Sequence, residues 1–525
     1  MRSAAITSET HDALSTHLLQ HPQDEDLCFA IYHPSTGAQR TTAVVSEPIL
    51  PRHGERQVHG NVEFTSEYFL RAAGIAAERG AGLAFLHSHT RRSRGWQAMS
   101  SDDVDAESAW APRTLAMTGL PLVGMTLAGD GAWSARFWEK TAAKTYERID
   151  CESVRVVGGR LRMTYHEGQR PAPGFREALT RTISAWGADA QADLARLRIG
   201  VIGAGNVGAV IAEALVRTGV QHVRLLDFDS IKTVNLDRVL HATERDVWLA
   251  RSKVEMLARA LQQSATALEP IIEPMEFSVV EDDGFHAALD CDVLFSCVDR
   301  PWPRSVLNFI AYAHLIPVVD GGIRVRTTGD KIVSADWKAH AAAPGRRCLE
   351  CLGQYDPSLV TAERFGQLDD PRYLAGLPPG HPILANENVF AFGLGAGSLE
   401  LLQFLLMVVA PGGTADLGAQ NYHFKTGTVD LETRDCEPRC LYSHEYVALA
   451  DDADLAVTGR HEAAERERGE RAAKRATRRV RRARRLDELL TQLEQHVDRR
   501  AQQSAAPTRR WRAGRTMEHA SRRNW

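Results

Sequence analysis

Short apolar runs recur along residues 1–140: CFAIY at 28–32, TTAVV at 41–45, GLAFLH at 82–87 and LVGMTLAG at 122–129. Between them, two stretches of helical periodicity fall near Ser66–Arg79 and Asp102–Trp110. The alternation predicts an α/β or α+β unit with mostly consecutive strands. Residues 141–173 read as a linker with one small hairpin, closed by RPAPG. From Phe175 a helical segment leads into a strand, glycine turn, helix and second strand, the pattern of a doubly wound sheet, and this domain runs over residues 174–448. The most apolar segment, Val389 to Ala410, is interrupted by Glu400 and Gln403 and is expected to be a buried helix, not a membrane span. Residues 449–525 form a separate tail. Glu462 to His496 is a charged helical run with few large apolar residues before Leu486, and the last 25 residues are expected to be disordered. No internal repeat is evident.

Charge sharpens this division. The net charge of −4 points to neither nucleic acid nor membrane, but residues 460–525 hold 20 Lys/Arg against 9 Asp/Glu. The tail is therefore strongly basic and the remaining body acidic. The N-terminal residues MRSAAITSETHDAL lack an apolar stretch of signal-peptide length, and eight cysteines in 525 residues are too few for a disulfide scaffold. The expected location is a reducing cytoplasm, where a Cys-X-X-Cys asks for metal or redox chemistry.

The segment LRIGVIGAGNVGAVIAEALVRTGVQHVRLLDFD places Gly203, Gly205, Asn206 and Gly208 between a buried strand and a helix, with a second strand ending at Asp227. Glycines there allow a tight turn, and the helix start offers unpaired N–H groups to phosphate. Alone, this fingerprint reads as NAD binding, with Asp227 accepting ribose hydroxyls. The following DFDSIKTVNLDRVL and ARSKVEML add Asn235, Arg238 and Lys253, an amide and two cations that suit a triphosphate better than a dinucleotide. A Rossmann dehydrogenase with incidental surface cations is the plainer alternative. Together with LFSCVDR, these motifs resemble the adenylating domain of the ubiquitin-activating-enzyme superfamily, the ThiF, MoeB and HesA group. The resemblance implies ATP-dependent activation of a carboxylate as an acyl-adenylate. The carboxylate would be the C-terminus of a ubiquitin-like or sulfur-carrier protein ending in Gly. It also implies Asp227 on ribose, Asn235, Arg238 and Lys253 on the phosphates, and Asp299 on Mg²⁺. RTISAWGADAQADLARLRIG matches the family's lead-in helix, so Arg181 would be an arginine finger supplied across a homodimer.

Cys348 and Cys351 (RCLEC) and Cys436 and Cys440 (CEPRC) form two pairs whose four thiolates suit a closed, structural Zn²⁺ site. The second pair has a three-residue gap where the family normally has two. Buried cysteines without metal are the alternative. Between Leu352 and Asp435 there is no cysteine. Family members that pass the acyl group to their own thiol place it there, so adenylation without a conventional internal thioester is expected, with transfer to an acceptor or to a conjugating-enzyme or sulfur-donor partner.

In AFLHSHTRRSRGWQAMSSDDVDAE, His87 and His89 end an apolar strand and face one way. Asp103, at a helix start, could supply a third ligand and leave a fourth position for water, as in a catalytic Zn²⁺ site. Glu47, at another strand end, could act as general base, and Ser100 could donate to a developing oxyanion. This resembles the JAB/MPN (JAMM) metalloproteases, which cut peptide or isopeptide bonds after the C-terminus of ubiquitin-like proteins; it covers a domain of residues 1–140. The chain departs from that pattern with Thr90 in place of Pro and with ten residues between His89 and Ser100 in place of seven.

The expectation is a bifunctional cytoplasmic enzyme: a ThiF-type adenylyltransferase with an N-terminal zinc peptidase acting on the same ubiquitin-like protein. The rivals are activation of a carboxylate on a modified tRNA base, with the Arg-rich tail on RNA, and a scaffold whose peptidase domain is inactive. For the tail itself, a solvated helix held by i,i+4 pairs competes with an electrostatic contact to nucleic acid, to which only Trp511 and Trp525 could add stacking.

Overall fold

The computed structural model describes residues 1–504 apart from Pro22, Gly60, Pro379, Gly380, Ala385 and Asn386. Contacts divide the chain into two compact units, Met1–Arg468 and Gly469–Trp525. The first holds two large sheets.

The N-terminal sheet is built from β1 (Arg2–Thr7), β2 (Leu27–Thr36), β3 (Thr41–Ile49), β6 (Gly82–Ser88), β7 (Leu122–Leu127), β8 (Trp133–Ala142), β9 (Thr145–Asp150), β10 (Ser153–Val157) and β11 (Leu161–Tyr165), in the spatial order β11-β10-β1-β3-β2-β6-β7-β8-β9. A separate hairpin pairs β4 (Arg56–His59) with β5 (Asn61–Phe64). On β2, Cys28, Ala30 and Tyr32 face the core under α1 (Ser8–Leu18), and Leu27, Phe29 and Ile31 face the core under α2 (Ser66–Glu78) and α3 (Ser101–Thr118). Covered on both faces, the strand reads as continuous apolar sequence. The supposed linker of residues 141–173 is part of this sheet: β9 pairs with β8, and β10 lies parallel to β1 with Ala4 opposite Val154. The N-terminal domain therefore extends to about residue 166. Helix α3 also outruns the expected Trp110, because Ala111 and Thr114 continue its buried face past Pro112.

The second sheet contains β12 (Arg198–Ile202), β13 (His222–Leu226), β14 (Ile271–Met275), β15 (Val293–Ser296), β16 (Val318–Thr328), β17 (Lys331–Ala342), β18 (Ala419–His423) and β19 (Thr428–Glu432), in the order β14-β13-β12-β15-β16-β17-β18-β19. The first five strands are parallel and the last three antiparallel. The parallel order reverses direction between β12 and β15, which makes a topological switch point at their C-terminal ends. Helices α4 (Thr180–Trp186) and α5 (Ala188–Arg196) lead into β12. α6 (Asn206–Arg217), α8 (Lys253–Ser264) and α13 (Phe390–Val409) share one core, while α9 (Asp282–Leu289) and α10 (Pro301–Ala313) share another. The short α7 (Glu244–Leu249), α11 (Pro357–Arg364), α12 (Pro371–Ala375) and α14 (Leu441–His444) complete the domain. Helix α13 is the expected apolar helix. It is long and apolar enough to cross a membrane, but 44% of its most apolar window is buried, and Glu400 and Gln403 point into the protein.

Ala5, Val44, Val157 and Leu161 from the N-terminal sheet share a core with the second domain. A buried polar seam fixes the join. Arg40, fully buried in the β2–β3 turn, pairs with Asp292 at 2.5 Å. Asp290 accepts the N–H groups of Gln39 and Arg40 at 3.0 and 2.9 Å, and Arg155 donates to the carbonyls of Leu315 and His314. A buried charge is tolerable only when so paired. Asp292 immediately precedes β15, so the seam lies at the N-terminal ends of the parallel strands and the switch point at their C-terminal ends.

The tail begins later than residue 449. Asp451 accepts the Thr36 N–H, Val457 O accepts the Trp302 indole N–H, and Leu455 and Val457 pack on the second core. Helix α15 (Glu462–Ser504) starts inside the first unit, and its residues 469–504 belong to the second. Of the last 25 residues, 501–504 continue this helix; the disorder expected for the remainder, and Trp511 and Trp525, lie outside the described residues.

Candidate functional site

At the switch point, Gly203 has φ +99°, and a Cβ there would run into the Cys297 carbonyl. A Cβ on Gly208 would meet the Gly203 carbonyl, whereas one on Gly205 would meet nothing within 4 Å. Gly203 and Gly208 thus close the turn, and Gly205 opens a cradle at the start of α6, where no side chain caps the helix. The free N–H groups and helix dipole favour an anion there.

Asp227, at the end of β13, holds this loop in shape: its Oδ2 accepts the Ala204 N–H and its Oδ1 the Asp229 N–H, both at 2.8 Å. Lys253, the first residue of α8, donates to Asp229 Oδ2 at 2.6 Å and stands 3.7 Å from Asp227 Oδ2. Burial opposes the ammonium charge, but Asp227, Asp229 and Asp299 outweigh it and hold the Lys253 pKa above its ordinary value. Burial in turn raises the Asp227 pKa, against the pull of Lys253. Asp299 is exposed just beyond β15, and Asn206 opens α6 with its amide on Asn388 Oδ1 and the Val389 carbonyl. Asn235 and Arg238 stand on one turn, where Asn235 Oδ1 accepts the Lys232 N–H and Arg238 reaches Asp237. Arg181 is exposed on α4. Asp229 was passed over in the sequence; its signal was the Asp-Phe-Asp repeat at the strand end. A further contact comes from the start of α15, where Glu467 accepts the Ser230 N–H at 3.2 Å and pairs with Lys232 at 3.1 Å.

In the N-terminal domain, His87, His89 and Asp103 converge, with one ligand atom of each within 4.8 Å of the others. Asp103 turns Oδ1 toward His87 Nε2 at 3.4 Å and Oδ2 toward His89 Nε2 at 3.7 Å. Burial, reinforced by Arg136, pushes His87 down to about 3, so its imidazole is neutral and can offer a lone pair. His89 is raised by its hydrogen bond to Asp103. Gln97 Oε1 sits 3.0 Å from His89 Nδ1, and Gln97 Nε2 donates to the carbonyls of Arg94 and Gly95. The enlarged 90–99 loop thereby places Nδ1–H on Gln97 and leaves Nε2 for a ligand. Beneath His87, Arg136 bridges buried Glu107 and Thr126 Oγ1, which lies 3.3 Å from His87 Nε2. Ser100 caps α3, its Oγ accepting the Asp103 N–H at 3.1 Å while its own N–H donates to Asp103 Oδ2 at 2.8 Å. Two neutral-capable imidazoles and a carboxylate held at this spacing fit a divalent cation with open positions.

Glu47 does not join this cluster. It lies opposite Ile31 on β3, whereas His87 lies opposite Leu27 from the other side of β2, and Glu47 instead pairs with Arg79 at the surface. The structure brings Glu25, two residues before β2, into the field of His89 and Asp103. Burial raises the Glu25 pKa, with Asp103 adding to it and His89 opposing it.

Cys348, Cys351, Cys436 and Cys440 also gather with their sulfurs within 4.8 Å of one another. Cys348 Sγ and Cys440 Sγ are 3.6 Å apart, the Cys348 N–H points at Cys436 Sγ (3.1 Å), and the Cys351 N–H at Cys348 Sγ (3.3 Å). N–H groups aimed at sulfurs stabilise thiolates, so the set fits a closed tetrahedral metal site, and a turn from Glu437 O to Cys440 N–H absorbs the extra residue in the second pair.

Residues 179–375 match the model of the ThiF family. The chain is 30% identical over 169 residues to the molybdopterin-synthase adenylyltransferase of Escherichia coli (strain K12), across 32% of this chain and 62% of that protein. It is 29% identical over 170 residues to the adenylyltransferase and sulfurtransferase UBA4 of Yarrowia lipolytica, across 32% of this chain and 40% of that protein. It is 28% identical over 153 residues to the tRNA threonylcarbamoyladenosine dehydratase of Escherichia coli (strain K12), across 28% and 54%. The chain thus spans 40% to 62% of the length of these relatives, and the stretch that resembles the ThiF family runs from α4 to α12 around the second sheet.

Proposed function

We propose that the second domain adenylates the C-terminal carboxylate of a ubiquitin-like or sulfur-carrier protein ending in Gly, and that the N-terminal domain is a zinc peptidase that trims or releases the same protein. The observation that carries the first half is the open cradle at Gly205 with Asp227, Asp229 and Lys253 around it, inside the stretch matched by the ThiF model. In this reading ATP is the substrate. The α6 N-terminus and Lys253 take the phosphates, with Asn235 and Arg238 beside them, and Asp227 accepts a ribose hydroxyl while keeping its loop bonds. Asp299 would hold Mg²⁺, which neutralises phosphate charge. The carboxylate attacks the α-phosphorus and pyrophosphate leaves, its charge met by Lys253 and by Arg181 from a second copy in a homodimer.

The fit of His87, His89 and Asp103 to a divalent ion supports the peptidase half. A zinc ion there would make bound water acidic enough to yield hydroxide near neutral pH. Glu25, held less acidic by burial, replaces Glu47 as the residue that takes and returns the proton. Ser100 donates its hydroxyl to the substrate oxygen. The four cysteines would hold a second, structural zinc. Cys297, the cysteine beside the cradle, has its thiol pKa pushed up by burial, which supports direct transfer without an internal thioester.

ATP–pyrophosphate exchange tests the first half. Exchange should depend on a small protein ending in Gly, and Lys253→Ala should lower it by about 100-fold or more. Exchange that needs tRNA and ignores such a protein would instead favour activation of a tRNA base, a reading supported by the dehydratase relative and the Arg-rich helix.

A further inference from the structure

The second half of α15 carries an apolar stripe with no role in either site. Ala483, Leu486, Leu490, Leu493 and Val497 follow one another at spacings of three, four, three and four residues. Leu486, Leu490, Leu493 and Val497 are 49% to 62% exposed. That is the a/d spacing of a coiled coil, where supercoiling keeps one seam toward a partner. Upstream the seam ends at Arg479, which occupies a d position, and downstream at Arg500, which occupies the next.

We infer that this stripe pairs with the same stripe of a second copy of the chain, as a short parallel coiled coil over residues 483–497. The flanking charges select both partner and direction. Arg482 falls at a g position and Asp487 at the following e position; in a parallel pair, g of one helix meets e of the next heptad on the other. Each Arg482 therefore faces Asp487 of the second copy, twice by symmetry. Leu489 at the next g position adds apolar cover beside Glu494. An antiparallel pair would set e against e and so bring Asp487 and Glu494 together as like charges. The seam spans about two heptads, so the association is weak in isolation and gains from a helix already continuous from Glu462.

Cysteine cross-linking in the full chain tests this without relying on adenylation. Cys28, Cys151 and Cys291 are buried, Cys297 is half-buried beside the glycine turn and the other four sit in the four-cysteine cluster, so wild type gives the background. Leu493→Cys, on the seam, should form a disulfide-linked dimer under mild oxidation roughly tenfold faster than Gln495→Cys, on the opposite face. Arg482→Glu should slow the cross-link in the Leu493→Cys background, and adding Asp487→Arg should restore it. Equal rates at 493 and 495, or no cross-link at either, would overturn the pairing. If the chain still sedimented as a dimer in that case, the homodimer of the adenylating domain would stand while this one fell.

Discussion

At the scale of single residues, chemistry turns on which side chains share a strand end, and sequence captured this only in part. His87 and His89 were legible because two-residue spacing on a strand sets both on one face, and Asp103 because a helix start follows. Glu47 was not, because its place depends on register: across β2 it lies level with Ile31, four residues from Leu27, where His87 lies. Glu25 lies on the chain entering β2, which pairs directly with β6, and only long-range pairing reveals that. Glu25→Gln should therefore abolish cleavage of a ubiquitin-like fusion, lowering its rate by about 100-fold or more, while leaving bound zinc in place. Glu47→Gln should remain close to wild type in both respects. Equal losses in the two variants would contradict the assignment.

At the scale of elements, the glycine loop was readable because Gly203 and Gly208 answer local steric demands, whereas residues 141–173 read as a linker with one small hairpin, and only long-range pairing puts β9 and the β10–β11 hairpin into the sheet. Helix α3 shows how an element can serve a site. Its capping box joins Ser100 to Asp103, so the same bonds that end the orphaned N–H groups also orient the carboxylate that faces His87 and His89. Ser100→Ala should cost about 1 kcal/mol of stability in urea unfolding and weaken zinc binding at the His site. Ser100→Thr, which preserves the cap, should recover both. A variant that lost activity with stability and zinc affinity unchanged would mean that the hydroxyl acts on substrate alone.

At the scale of the whole first unit, the two domains meet through paired buried charges that no local sequence pattern announces: Arg40 finds Asp292 across 252 positions of chain. The His–His–Asp cluster lies at the start of β2 and the seam at its far end, roughly 30 Å away by strand rise. The nucleotide cradle lies beyond the seam, at the C-terminal ends of the second sheet. The seam therefore stands between the His–His–Asp cluster and the cradle. The seam also sets a pH limit. His314, hydrogen-bonded to Ser35 across it at 2.8 Å, is pushed down to about 3 by burial, with Arg155 adding to the effect. Its folded pKa lies below the unfolded value near 6.5, so the unfolded chain binds the extra proton between these limits. Stability should be full above about pH 6.5 and fall as pH drops toward 3, with a slope of up to about 1.4 kcal/mol per pH unit from this group. His314→Asn should flatten that slope in urea titrations at pH 7 and pH 5. The claim that one chain carries two separate chemical centres is tested most directly by zinc per chain, measured on wild type beside a His87→Ala, His89→Ala double variant. Two zinc ions should fall to one, with ATP–pyrophosphate exchange retained. One zinc in both proteins would contradict that claim, leaving the adenylating domain without a metallopeptidase partner.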